Sequence, residues 1–286
     1  MTTKIDWCDE TINPITGCRQ GCRFCYARRM AHRFAGKAGS VYQRVAAATS
    51  GVDPETGILD GDGDPFAPAI HLDVSRRHGD RLRRARKPRR VFVGSMGDVC
   101  FDGEAVSFGN DGKPFQSLLF NYNTNDVQAH VARFATGLPR HTFLLLTKRP
   151  DLLDVRILWP RNVHFGVTIG HGMASDWARL GTFKRRVHGM CANGRPGVLW
   201  ASVEPLGDPG FDPTCLTGLD WVVVGLQTGS GKASPGTEKM TALLGAVQRI
   251  VDWCAGAGVS CFVKDNARYA SSGGHLWPRQ IPTAET

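Results

Sequence analysis

Trp221-Val-Val-Val-Gly225, then Met240-Thr-Ala-Leu-Leu-Gly-Ala-Val-Gln-Arg-Ile-Val-Asp-Trp-Cys254, then Val259-Ser-Cys-Phe-Val263: this stretch decides the fold class. Short, near-continuous apolar runs bounded by small or polar residues read as strands covered on both faces, the mark of a parallel sheet. Between the two runs lies a segment of helical periodicity, and Gly256 and Gly258 supply its stop. Strand, helix, strand is a βαβ unit, whose crossover is right-handed.

Working outward, the same kind of run recurs at Arg90-Val-Phe-Val-Gly94, Thr142-Phe-Leu-Leu-Leu-Thr147, Val163-His-Phe-Gly-Val-Thr168 and Val198-Leu-Trp-Ala-Ser-Val203. Val127 to Thr136 carries helical periodicity ahead of the second of these. The alternation implies an α/β fold. These runs, with a short strand leading into a cysteine loop, suit a full or partial barrel better than an open sheet. The expected architecture is one domain over residues 1–269, with an insertion at about 36–89, a polar loop at about 103–126, and a poorly ordered tail over 270–286. Within the insertion, Asp60, Asp62 and Asp64 imitate the start of a calcium loop. Pro65 stands where that loop needs glycine and His71 where it needs glutamate, so a solvated turn is the better reading.

Composition is that of an ordinary globular chain, 42% hydrophobic and 21% charged. No apolar run approaches the roughly 18 residues of a membrane span, and Met1 to Pro14 lacks a signal peptide's apolar core. A cytoplasmic protein without a membrane partner is expected. The net charge of +9 favours polyanionic partners. Its densest segment, Arg81-Leu-Arg-Arg-Ala-Arg-Lys-Pro-Arg-Arg90, is either such a contact or a solvated helix end.

Nine cysteines, an odd number, with no secretion signal, argue against a disulfide framework. Cys18, Cys22 and Cys25 stand together as CxxxCxxC, with Gly21 to tighten the loop. Three thiolates are one ligand short of a zinc tetrahedron or a closed cubane. A zinc site would recruit Cys8 or His32. A 4Fe-4S cluster would leave one iron open to an external ligand.

The spacing, with the aromatic Phe24 before the last cysteine, resembles the radical S-adenosylmethionine (radical SAM) superfamily. More closely, Trp7-Cys-Asp-Glu-Thr-Ile-Asn-Pro-Ile-Thr-Gly-Cys18 and Cys22-Arg-Phe-Cys-Tyr-Ala27 resemble the phage-associated three-Cys-motif family related to spore photoproduct lyase. Later landmarks follow in order: Val93-Gly-Ser-Met-Gly-Asp98, Leu146-Thr-Lys-Arg-Pro150, Ser202-Val-Glu-Pro-Leu206, Val223-Val-Gly-Leu-Gln-Thr-Gly229 and Phe262-Val-Lys264. The resemblance implies a partial (β/α)6 TIM-like barrel with a 4Fe-4S cluster on Cys18, Cys22 and Cys25 and S-adenosyl-L-methionine at the strand ends. It also implies an external electron donor and a 5′-deoxyadenosyl radical. Phage association and the net charge favour a base in nucleic acid (DNA), or a nucleotide, as substrate. A small metabolite or peptide, or a non-catalytic zinc or iron–sulfur nucleic-acid binder, are the rival readings.

In α/β barrels the functional groups stand at the C-terminal ends of strands. Ser95 and Asp98 are therefore candidate cofactor contacts, although an Asp here also serves as a plain helix cap. Thr168, Ser202 and Glu204 follow, Glu204 as a charge wedged between Val203 and Pro205. Gln227 stands where the resembled family has glutamate, which removes any acid role there. Lys148, Arg149 and Lys264 are candidate substrate contacts. Cys100 is either a hydrogen-atom donor of the lyase type or a buried, inert thiol.

Overall fold

Strand pairing is parallel throughout the larger of two sheets. A computed structural model describes residues 5–22, 25–50, 63–113, 122–170, 174–191, 197–228, 233–271 and 276–282. Seven strands follow one another across it: β1 (Glu10–Ile12), β4 (Arg90–Val93), β7 (Thr142–Thr147), β8 (Val163–Ile169), β9 (Leu199–Leu206), β10 (Trp221–Leu226) and β11 (Ser260–Val263). Their spatial order is their chain order, so every crossover steps the same way and the sheet curls into a half-barrel. All six quoted runs are strands, and β1 is the short strand ahead of the cysteines.

Four of the six crossovers carry α-helices: α1 (Tyr26–Ala35), α2 (Val41–Thr49) and α3 (Leu72–Arg83) before β4, then α4 (Thr124–Thr136), α5 (Ala174–Cys191) and α6 (Glu238–Ala257). The crossovers from β7 to β8 and from β9 to β10 have only 3-10 turns at Pro150–Leu152 and Pro213–Leu216, and the short α7 (Asp265–Arg268) follows β11. Local sequence explains their limits. The Asn123 side chain caps α4 and Asp126 reciprocates, a capping box. Thr237 caps α6, which buries Met240, Leu243, Ala246, Val247, Ile250 and Cys254 along one face. Gly258 then ends that helix at φ +68°, a left-handed conformation that suits glycine.

Alternation along the strands sorts two cores. Val91, Phe143, Leu145, Phe165, Val167, Ala201, Val203, Val222 and Val224 face the helices in the main core. Their neighbours Phe92, Leu144, Trp200, Trp221, Val223 and Phe262 face the concave side, joined there by Trp7. Trp7 lies edge-on to Trp200 and Trp221, at ring separations of 5.2 and 6.0 Å. Gly166 is obligatory beneath this floor, because a Cβ there would lie 2.3 Å from the Trp200 ring.

The insertion, the loop at 103–126 and the tail carry more structure than the sequence shows. The inserted region carries α2, strand β3 (Ala69–His71) and α3, which leads directly into β4. With β2 (Ile15–Thr16), β5 (Glu104–Phe108) and β6 (Tyr122–Asn123), β3 forms a second sheet in the order β2-β3-β5-β6. The two- and three-residue strands β2, β3 and β6 leave no periodicity to read, and the five residues of β5, set between polar segments, fall within what reads as a polar loop. Asp60 and Asp62 lie outside the described residues. Asp64 accepts from the Phe66 backbone N–H at 2.9 Å, the chemistry of a turn.

The tail is also ordered where it is described. Val263 N–H donates to Pro278 C=O and Gln280 N–H to Cys261 C=O, each at 2.9 Å, so residues 278–280 pair along the open edge of β11. An edge strand leaves a row of unsatisfied backbone groups, and the tail satisfies them. Among the described residues no helix is long and apolar enough to cross a membrane.

Candidate functional site at the mouth of the sheet

Beyond the tryptophan floor, the inward-facing positions turn polar. Continuing each alternation by two residues leads from Leu146 to Lys148, from Gly166 to Thr168, and from Trp200 through Ser202 to Glu204. It likewise leads from Val223 to Gly225 and from Phe262 to Lys264. These groups share the C-terminal end of the sheet, and the cysteine loop lies against them.

Two glycines hold that loop in place. Gly17 (φ +79°) donates to Met96 C=O at 2.9 Å, and Asp98 N–H donates back to Gly17 C=O at 3.3 Å. A Cβ on Gly17 would sit 2.1 Å from Ala67 O, and one on Gly97 would sit 2.8 Å from Gly17 O. Only bare backbone fits. Asn13, which the sequence reading did not single out, accepts from Ser95 Oγ at 3.1 Å and from Met96 N–H at 3.0 Å.

The three thiols have distinct surroundings. Cys18 packs with Cys25, Met96 and Phe66, and its Sγ accepts from Gln20 N–H at 3.3 Å. Burial above all, then the Asp98 carboxylate, pushes its thiol up to about 12, against a backbone hydrogen bond that acts the other way; Cys22 and Cys25 add smaller upward shifts. Cys25 caps α1, its Sγ accepting from Arg28 N–H at 3.3 Å. Lys148 Nζ stands 3.6 Å from Cys22 Sγ and brings a cation from the end of β7 onto the loop.

Asp98 explains why Lys148 is held there. Its carboxylate accepts from the backbone N–H groups of Lys148 and Cys100, both at 2.9 Å, and from the Thr147 hydroxyl. Complete burial raises its pKa, while these donors oppose the rise. The Asp98 carboxylate thus ties the ends of β4 and β7 together.

Across the mouth, Lys264 Nζ reaches Glu204 Oε1 at 2.5 Å. Strand β9 runs through Glu204 and Pro205, so two of its residues oppose the single Gly225 of β10 between the pairs Val203–Val224 and Leu206–Leu226. That bulge re-aims Glu204, as bulges beside sites commonly do. Gly225 is the floor beneath the pair: a Cβ there would lie 2.9 Å from Lys264 Cδ and 3.1 Å from Glu204 Oε1. The sequence reading passed over it. Tyr26 closes the third side. The residue is 52% exposed, while its hydroxyl turns inward to donate to Ser95 C=O. Burial raises that hydroxyl to about 12, and Cys25 and Glu204 push the same way.

The remaining candidates sort as follows. Thr168 and Ser202 are buried register partners on β8 and β9. Gln227 follows β10 at the rim. Arg149 is clamped by Asp102 and Asp151, whose carboxylates raise its pKa further, so its fork is engaged within the protein. Cys100 is fully buried in the helix-facing core, and burial pushes its thiol well up. Phe24 lies outside the described residues.

As a donor set, three soft thiols on one loop, flanked by a helix N-terminus and an ammonium, fit an iron–sulfur cluster in kind. Among the described residues no three His, Cys, Asp or Glu side chains are gathered around one point as a metal-holding group. A family model described as "Protein of unknown function (DUF5131)" matches residues 2–108 and 115–278, and the chain belongs to that family. No curated protein and no solved structure matches it.

Proposed function

We propose that this member of DUF5131 is a radical SAM enzyme built on a partial (β/α)6 barrel. In this reading Cys18, Cys22 and Cys25 hold a 4Fe-4S cluster, S-adenosyl-L-methionine completes it, and a base in nucleic acid is the substrate. One observation carries the reading: the CxxxCxxC loop lies on the polar mouth of the half-barrel, with Lys148 Nζ 3.6 Å from Cys22 Sγ. When bound, such a cluster and its cosubstrate, fed by an external electron donor, supply a 5′-deoxyadenosyl radical able to take a hydrogen atom from a substrate.

The chain's own groups have separable tasks. The Lys148 side chain, 3.6 Å from Cys22 Sγ, would face the cluster held by the loop. Asp98, holding the Lys148 backbone, is a positioning residue. Ser95, with its carbonyl oriented by Tyr26 and its hydroxyl by Asn13, offers polar contacts to the cosubstrate's amino acid end. Thr168, Ser202 and Gln227 offer contacts to the ribose and base. The Glu204–Lys264 pair presents one acceptor and one cation over Gly225. Below them, the tryptophan floor keeps water out of the concave face. A cytoplasmic setting, where the reductant is available, suits this chemistry.

The test is anaerobic. The protein is reconstituted with iron and sulfide, given S-adenosyl-L-methionine and a strong reductant, and assayed for 5′-deoxyadenosine. The expected result is product from the wild type, none from Cys22→Ala, and near-wild-type product from Cys100→Ala. Tightly bound zinc in place of iron, or equal product from Cys22→Ala, overturns the reading.

A further inference from the structure

The opposite end of the half-barrel carries a different chemistry. Helix α3 runs down to Arg83, and the segment Arg84-Ala-Arg-Lys-Pro-Arg89 turns into the start of β4. The α4–β7 connection runs beside it. Arg140 Nη2 donates to Arg86 C=O at 2.8 Å, and the Arg89 N–H donates to His141 Nδ1 at 3.1 Å. The two loops are therefore pinned to each other, and their cations form one surface.

The ion pairs sort this basic run. Arg81 is engaged by Glu10, Arg83 by Asp80 and Arg90 by Asp9. Among the described residues Arg84, Arg86, Lys87, Arg89, Arg133 and Arg140 have no carboxylate within ion-pair distance, and all are exposed. Here the nearby acids are used on the inner arginines and the outer rank is left positive. Between α3 and the starts of β1 and β4 a cleft of about 320 Å³ opens; Arg84 and Arg89 line it together with Asp9 and Glu10, whose carboxylates are taken up by Arg90 and Arg81.

We infer that this end of the sheet docks the phosphate backbone of duplex nucleic acid, with one phosphate seated at the Arg84–Arg89 cleft. Five of the six cations are arginines, whose planar forks match phosphate oxygens two at a time. The choice of duplex over single strand comes from what the surface lacks. Single-strand readers stack bases on exposed aromatics. The large exposed hydrophobics among the described residues are Tyr26, Met30, Leu158, Tyr269 and Leu276, none of them in these loops. Contacts of this kind hold a duplex without reading its sequence.

The location adds a consequence. The cations gather at the N-terminal ends of strands, and the thiols at the C-terminal ends. Along β4 and β7, four and six residues long, the two lie roughly 13–20 Å apart at about 3.3 Å per residue. The surface therefore tethers nucleic acid and does not itself present a base to the thiols. It stands on surface charge alone, so its failure leaves the redox reading untouched.

The experiment measures binding of a labelled 20-base-pair duplex to the full chain by fluorescence anisotropy between 50 and 300 mM salt. Two charge-matched triple variants are compared with the wild type: Arg84→Gln/Arg86→Gln/Lys87→Gln, and Arg185→Gln/Lys239→Gln/Arg249→Gln on α5 and α6. The first is expected to bind at least about tenfold more weakly at 100 mM salt, with a log–log salt slope shallower by about 2–3, as counterion release requires. The second is expected to stay within about threefold of wild type, and circular dichroism to show both folded. Equal losses in the two triples, wild-type binding by the first, or equal competition by polyglutamate, which would mark an acidic protein partner, each overturn the inference.

Discussion

The floor and the mouth of the concave face are made by the same strands under the same alternation, yet they behave oppositely. On β9, Trp200 is sealed among Trp7, Trp221 and Phe262, while Glu204, on the same face, meets a cation at a half-open rim. Near the strand starts inward side chains meet other inward side chains and are apolar and well fitted, with buried His164 the polar exception. At the strand ends the barrel opens, and an inward side chain meets loops and water, so a charge is tolerated if it has a partner. Direction comes from the alternation. Chemistry comes from how far along the strand the residue stands.

The largest expected effect breaks the floor. Trp200→Ala is expected to cost about 3–5 kcal/mol, seen as a fall in the guanidinium unfolding midpoint, because a buried indole leaves a cavity. Gly166→Ala attacks the same place from the other side by overpacking the Trp200 ring, at about 1–3 kcal/mol. If either is neutral, the floor is not the packed layer described.

Changes at the mouth should separate activity from stability. Gly225→Ala is expected to displace the Glu204–Lys264 pair and lower 5′-deoxyadenosine formation at least about tenfold, with a stability change below about 1 kcal/mol, since the groups displaced are ends of flexible side chains. A Glu204→Gln, Lys264→Met double-mutant cycle on stability is expected to give a coupling of about 1 kcal/mol or less, as for a part-exposed pair. A coupling several-fold larger would make the pair a structural element and undo the contrast with the floor.

The smallest effect lies in the pH dependence. His164 sits on the concave side of β8, and burial lowers its pKa to about 4, with Asp220 acting weakly against it. In the unfolded chain it takes a proton below about 6.5, and in the folded protein only near 4. Its contribution is therefore intact above about pH 6.5 and is lost progressively as pH falls toward 4. His164→Leu should make the decline of Tm between pH 6.5 and 4.5 shallower; an unchanged slope would show that His164 titrates normally.

Much of this was legible in the chain. All six apolar runs are strands, because a strand buried on both faces must be apolar at every position and so stands out from its surroundings. The strand-end rule found Lys148, Glu204 and Lys264, since the alternation that builds the floor continues to the rim. Other features were hidden for identifiable reasons. Pro205 reads as a strand stop, so the bulge over Gly225 went unseen. Ala69–His71 is too short to show a period. Arg149 looks like a phosphate ligand until Asp102 and Asp151 arrive from separate loops. Asp98 reads as a cap or a ligand, and its bond to the Lys148 backbone across two strand ends is not visible in the sequence.

By itself the sequence determined the parallel α/β sheet, the three-thiol loop at its first strand and the polar groups that follow the strands. Those are local facts of period, spacing and residue type. Tertiary structure alone decided which charges are engaged: Glu204 with Lys264, Arg149 with two aspartates, Lys148 beside Cys22, and the outer arginines of the α3–β4 turn with no carboxylate at ion-pair distance among the described residues. The reason is physical. Pairing depends on which side chains from distant segments arrive within a few ångströms, and the chain's one-dimensional order does not contain that distance.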